Sequence, residues 1–127
     1  MACAGWVLHA PGDGRPHPRN SGAFARTLGH CTRNRGVLEL AGFVRKMTSL
    51  PTSRFPLSDR GTVAPGQVAY LVVLDPDRIT DQSTYAEPCQ YATGVRDVLV
   101  PGEPVLRDGE PTRARPGRVL PRTVPTA

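Results

Sequence analysis

The sequence predicts a chain of two characters, an α/β opening followed by a β-rich remainder, and three observations predict it. A short apolar run at residues 5–10 stops at Pro-Gly-Asp-Gly. Two stretches with apolar residues at helical spacing follow it. From Thr52 the helical period gives way to short β-branched runs cut by Pro and Gly. At 127 residues the chain fits one ordinary domain or a piece of a larger one, because hydrophobic cores divide only beyond about 250 residues. Its 14 Pro and 13 Gly, with only 6% aromatic residues, imply thin packing spread over many turns and a core that does not stand alone.

The first element, "GWVLHA", reads as a buried strand entering a loop, with Asp13 at its end. After "RPHPRNSG", residues 23–34 place Ala23, Phe24, Thr27, Leu28 and Cys31 at helical spacing, and Gly36 is the terminator. Residues 37–49 repeat the pattern with Val37, Leu40, Ala41, Val44 and Met47 on one face. Leu50-Pro51 is expected to close this second helix, since the residue before proline disfavours helical backbone. Beyond Thr52, "QVAYLVVLD" is the strongest strand and Asp75-Pro76-Asp77 its turn, while "VRDVLV" and "PVLRDG" read as a hairpin. From Pro111 a basic, Pro-rich tail favours disorder or extended wrapping.

Net charge is +5, carried by fifteen arginines and the single Lys46. The arginines are scattered and no aromatic residues interleave them, so the pattern argues against a nucleic-acid interface and for a solvated basic surface. Cys3, Cys31 and Cys89 are odd in number and lack CxxC spacing, which signals neither a disulfide framework nor a cysteine zinc site. The run "AGWVL" is too short for a signal core or a membrane span, and no basic region precedes it. The expectation is a cytoplasmic protein without membrane contact. His9, His17 and His30 show no HxH or four-ligand zinc spacing, so no metal site of this chain's own is expected.

Several longer words occur in a definite order: "GDG" at residues 12–14, "HPRNSGAFARTLG" from His17, "RKMTSLP" from Arg45, "DRGTVAPGQVAYLVVLDPDRITDQSTYAEPCQYATGV" from Asp59 and "RPGRVLP" from Arg115. On these words the chain resembles the carboxyl-terminal region of N-acyl-D-amino-acid deacylases, the D-aminoacylase branch of the metal-dependent amidohydrolases. The resemblance implies a (β/α)8 barrel whose metal site lies at the carboxyl ends of the strands, joined to a small β-sandwich. Residues 1–51 would be the end of that barrel, its eighth strand and following helices. Residues 52–110 would supply strands of the sandwich, and 111–127 the basic tail. The HxH pair of the first strand and the later histidine ligands belong to family regions before these words.

The resemblance also implies the chemistry, a hydrolase acting on a non-peptide carbon-nitrogen bond. In the complete enzyme zinc activates a water and polarises the amide carbonyl of an N-acyl-D-amino acid, and a carboxylate at the end of the last strand moves the proton to the leaving amine. Asp13 matches that carboxylate and is the expected catalytic residue, touching the water on the metal. Read locally, Gly12-Asp13-Gly14 is first of all the composition of a turn, and only the surrounding family words favour the catalytic reading. Arg19, in the loop beside the substrate, is the expected clamp for the substrate carboxylate, against the plain reading of an exposed loop arginine. His17 is expected to orient that loop.

Four positions depart from the family pattern. Gly12 stands where serine is usual, Pro11 removes a donor beside the last strand, Tyr70 interrupts the usual "ADLVVFDP", and Pro101 replaces the Asn of an Asn-Gly turn. Proline fixes φ near about −65°, so Pro101-Gly102 should form a type II turn that splays the strands. Two functional readings follow: part of a deacylase, with this chain alone inactive and no zinc bound by it; or a remnant or complementing β-rich subunit, partnered by an amino-terminal barrel fragment, with no catalysis of its own.

Overall fold

In the computed structural model, residues 14–55 and 57–120 are described. The expected strand at 5–10 and Asp13 lie outside them. Helix α1 spans Arg19–Arg26 and passes directly into a π-helix, Thr27–Asn34. The expected helix at 23–34 therefore begins four residues early and changes register midway. Gly36 ends it as expected: at φ +60° it lets Val37 N–H reach the Cys31 carbonyl (3.0 Å) while its own N–H reaches Thr32 (3.0 Å).

The second helix differs from expectation in two ways. It divides at Thr48, whose backbone (φ −123°, ψ −91°) separates α2, Leu40–Met47, from α3, Ser49–Arg54. Leu50-Pro51 does not close it, because Pro51 falls in the first turn of α3, where a missing N–H leaves no helical bond unmade. Of the expected face only Met47 packs against the core. Phe43 is 3% exposed and partly buried Met47 packs behind it, whereas Leu40 (40%) and Val44 (43%) face outward. Helix α2 thus carries two apolar stripes, and the one holding the large aromatic ring is the one that enters the core.

Four strands form one antiparallel sheet in the order β1-β2-β3-β4: β1 Leu71–Leu74, β2 Val95–Val100, β3 Glu103–Arg107 and β4 Glu110–Pro111. The expected strand at 67–75 is cut to its second half, since the Val68 N–H is taken by the Asp59 carbonyl at 2.8 Å. The turn at Asp75 forms as read, its carboxylate accepting from Asp77 N–H at 2.9 Å. At Pro101-Gly102, glycine sits at φ +84°, as a type II turn requires. The strands nevertheless stay paired from Val100↔Glu103, with a register shift between Val98 and Leu99. That bulge adds the twist which the turn does not supply. Asp108-Gly109, with φ +51° and +83°, makes a second two-residue turn, into β4.

The buried hydrophobic core among the described residues is Ala25, Leu28, Phe43 and Ile79, with Met47, Leu74, Ala92 and Val95 packed against it. Ile79 is its centre at 2% exposure. It reaches that place because a methyl group at Gly29 would collide with the Ile79 carbonyl, and one at Gly94 (φ +83°) with its amide. No helix among the described residues is long and apolar enough to cross a membrane.

Candidate functional site

The loop leaving Asp13 is shaped by proline and histidine. Buried Pro16 and half-buried Pro18 limit its backbone, and Pro18 already has helical angles (φ −52°, ψ −27°) that start α1. The His17 Nδ1 accepts the Arg19 N–H at 3.1 Å, and its carbonyl accepts Asn20 N–H at 2.9 Å. With Nδ1 occupied as acceptor, the ring proton sits on Nε2 and is donated to Tyr85 Oη, 3.1 Å away. The two rings meet edge to face with centroids 5.2 Å apart. His17 therefore caps the helix through one nitrogen and fastens the loop to a distant segment through the other. Arg19 sits at the first position of α1 with an exposed side chain, and none of the ion pairs among the described residues includes it.

Tyr85 belongs to a loop that braces itself. Thr84 N–H donates to the Glu87 carbonyl at 3.0 Å, Glu87 N–H to Thr84 Oγ1 at 3.0 Å, and Ser83 Oγ to the Gln90 carbonyl at 3.2 Å. Between this loop and Gly14-Arg15 lies an open cleft of about 570 Å³, rimmed by Glu87, Cys89 and Tyr91. It adjoins the residue that follows Asp13. Two further ties hold the helical layer to the same stretch of chain: Arg26 pairs with Asp81 at 3.3 Å, and Arg33 Nη1 donates to the carbonyls of Ile79 (2.9 Å) and Pro76 (3.0 Å).

A second polar constellation surrounds Arg60. Its Nε and Nη2 donate to the two Asp59 carboxylate oxygens at 2.8 Å each, and its guanidinium carbon lies 4.8 Å from the Tyr70 ring centroid. The hydrogen bonds from Arg60 hold the Asp59 carboxyl below the usual carboxylate range, and those to Asp59 raise Arg60. Arg60 Nη1 and Gln67 Oε1 are buried without a hydrogen-bond partner. Sequence reasoning missed Tyr85 and Arg60 as organising residues. The signal available was their place inside the words "STYAEP" and "DRG".

No cluster of three or more His, Cys, Asp or Glu among the described residues could hold a metal ion. Cys31 and Cys89 are free thiols. The described residues do not by themselves fit a zinc site.

The amidohydrolase family model matches residues 1–106 of the chain. The chain belongs to the amidohydrolase family. It is 44% identical over 113 residues to the D-aminoacylase of Alcaligenes xylosoxydans xylosoxydans, covering 89% of this chain and 23% of that protein. The N-acyl-D-glutamate deacylase of the same organism is 43% identical over 112 residues, with 88% and 23% covered. Among solved structures, a D-aminoacylase variant in complex with copper chloride superposes with a TM-score of 0.81 at 44% identity, covering 85% of this chain and 23% of that one. The N-acyl-D-glutamate deacylase of Bordetella bronchiseptica, complexed with zinc and a phosphonate mimic of the tetrahedral intermediate, superposes with a TM-score of 0.72 at 41% identity, covering 78% and 22%. The chain thus spans less than a quarter of the length of these relatives, and the matched part is their carboxyl-terminal portion.

Proposed function

We propose that residues 1–127 are the carboxyl-terminal part of a zinc-dependent amidohydrolase that hydrolyses N-acyl-D-amino acids to a carboxylate and a free D-amino acid. The observation that carries this reading is the 44% identity to D-aminoacylase, matched in structure at a TM-score of 0.81. In it, residues 1–51 are the last strand and helices of the barrel, 52–110 are strands of the β-sandwich and 111–127 are the tail. The setting we propose is the cytoplasm, in keeping with the free thiols of Cys31 and Cys89. In the complete enzyme a bound zinc would supply an activated water, and its ligands would come from the remainder of the enzyme.

Asp13 would serve as base toward the attacking water and then as acid toward the departing amine nitrogen, one carboxylate in both roles. Arg19 forms a bidentate pair with the α-carboxylate of the substrate, which orients the scissile amide. His17 holds the loop between them by capping α1 and bonding Tyr85.

The test is hydrolysis of N-acetyl-D-methionine by the chain alone and by the chain co-expressed with the amino-terminal three-quarters of the Alcaligenes D-aminoacylase. We expect no turnover alone, turnover in the assembly, and its loss with Asp13→Ala. Arg19→Lys should raise KM about tenfold, the equivalent of one charge-assisted hydrogen bond at about 1.5 kcal/mol. Turnover by the chain alone, or an Asp13→Ala assembly of full activity, would overturn the proposal. A second reading, an inactive remnant, is favoured by the small core of Ala25, Leu28, Phe43 and Ile79. It predicts neither turnover nor assembly.

A further inference from the structure

His17 lies four positions after Asp13 and two before Arg19. Its side chain is exposed, as is that of Tyr85 at 77%, and a hydrogen bond between two exposed side chains ordinarily contributes little, because ordering the pair offsets what the bond returns. This pair is ordered by other contacts on both sides. Pro16 and Pro18 flank His17 and restrict its backbone. Opposite, the loop of Tyr85 is closed by its own hydrogen bonds and anchored where Thr80 and Thr93 exchange N–H and carbonyl at 3.1 and 3.0 Å, with Gln82 Nε2 donating to Thr93 Oγ1 at 3.2 Å.

The same stretch is the floor on which α1 rests. A Cβ at Gly22 would lie 3.1 Å from the Asp81 Cβ and 3.4 Å from that of Ser83, and Arg26, one turn on, pairs with Asp81. Those contacts set how near the helix lies to residues 81–83. They leave open how its first turn is oriented. That is set by the imidazole, which is held at both nitrogens: Nδ1 by the Arg19 N–H and Nε2 by Tyr85 Oη. A ring held in this way cannot rotate without losing one of its bonds, so a change at Tyr85 reaches the first amide of α1.

We propose that Tyr85 is a positioning residue for Arg19. Its hydroxyl, accepting from His17 Nε2, keeps Nδ1 on the Arg19 N–H and so holds the first residue of α1 in one place. The inference rests on the reading of Arg19 as the clamp for the substrate carboxylate. Tyr85 itself touches no substrate; its effect passes through His17, and it bears on substrate binding and not on proton transfer.

Tyr85→Phe keeps the ring edge against His17 and removes only the hydroxyl. In the full chain, NMR hydrogen exchange of the Arg19 amide should quicken about threefold in this variant, the range of one neutral hydrogen bond, while the Ile79 amide stays as in wild type. In the assembly with the amino-terminal three-quarters of the Alcaligenes D-aminoacylase, Tyr85→Phe should raise KM for N-acetyl-D-methionine about threefold at unchanged kcat, and should add nothing in an Arg19→Ala background. Tyr91→Phe, on the same stretch at 82% exposure, should match wild type in both measurements. An Arg19 amide unmoved by Tyr85→Phe would overturn the positioning role and leave the function reading standing. A KM rise that persists in full with Arg19→Ala would also overturn it, because Tyr85 would then act by another route. An assembly without turnover would overturn the function reading and the role that rests on it, and a quickened Arg19 amide would then record a structural tie alone.

Discussion

Ile79 and Val44 sit at two seats of similar apolar character that have met opposite fates. Around Ile79 the chain closes on itself: two glycines admit its backbone, Arg33 bonds its carbonyl, and Leu28, Phe43 and Val95 belong to the same core. Around Val44, on the helix that also carries Phe43, a second apolar stripe lines an open cleft opposite Val63 and Tyr70 and stays 43% exposed. Local sequence does not distinguish the two. A core closes where long-range contacts from several segments converge.

The largest expected effect sharpens that contrast within one helix. Phe43→Ala should cost about 3–5 kcal/mol of stability in urea unfolding, the range for emptying a buried aromatic site. Its neighbour substitution Val44→Ala should cost less than about 0.5 kcal/mol in the isolated chain. Equal losses would erase the distinction between the two stripes.

Next in size is Arg33→Met, which leaves the Ile79 and Pro76 carbonyls without their donor. A loss of about 1–3 kcal/mol is expected, visible as a lower urea midpoint together with faster amide exchange in the Asp75 turn. An unchanged midpoint would mean that the glycine contacts alone keep Ile79 seated.

The smallest effect is the response to acid. Arg60 holds Asp59 below the ordinary carboxylate range. Asp97 is lowered first by the Arg96 side chain and then by the Asp108 N–H, which bonds it at 3.1 Å. A carboxyl lowered in the folded state stabilises fully above its unfolded pKa of about 3.9 and loses that contribution as pH falls through the folded value. Urea midpoints measured from pH 6 down to pH 3 should therefore fall, and a double Asp59→Asn, Asp97→Asn variant should fall less steeply. Parallel curves would show that these exposed pairs contribute nothing measurable.

Local chemistry in the sequence was enough to place several of the breaks, though not the one at Thr48. Gly36 ends a helix because only a residue free of Cβ strain takes its positive φ readily, Asp75 makes a turn because its own carboxylate caps the amide two residues on, and the hairpin of 95–107 follows its β-branched runs. The ordered words from Gly-Asp-Gly to "RVLP" sufficed for the family. Tertiary structure alone decided the rest. Helix α1 starts at Arg19, with its first turn held by His17, whose other nitrogen is bonded by a tyrosine 68 positions away. The π-helical register at 27–34 coincides with Gly29 against Ile79 and Arg33 reaching its carbonyl. The choice of Phe43 over Val44 turned on which stripe met Ile79. Each of these depends on contacts between residues far apart in the chain, and no local propensity or spacing encodes where such partners come to rest.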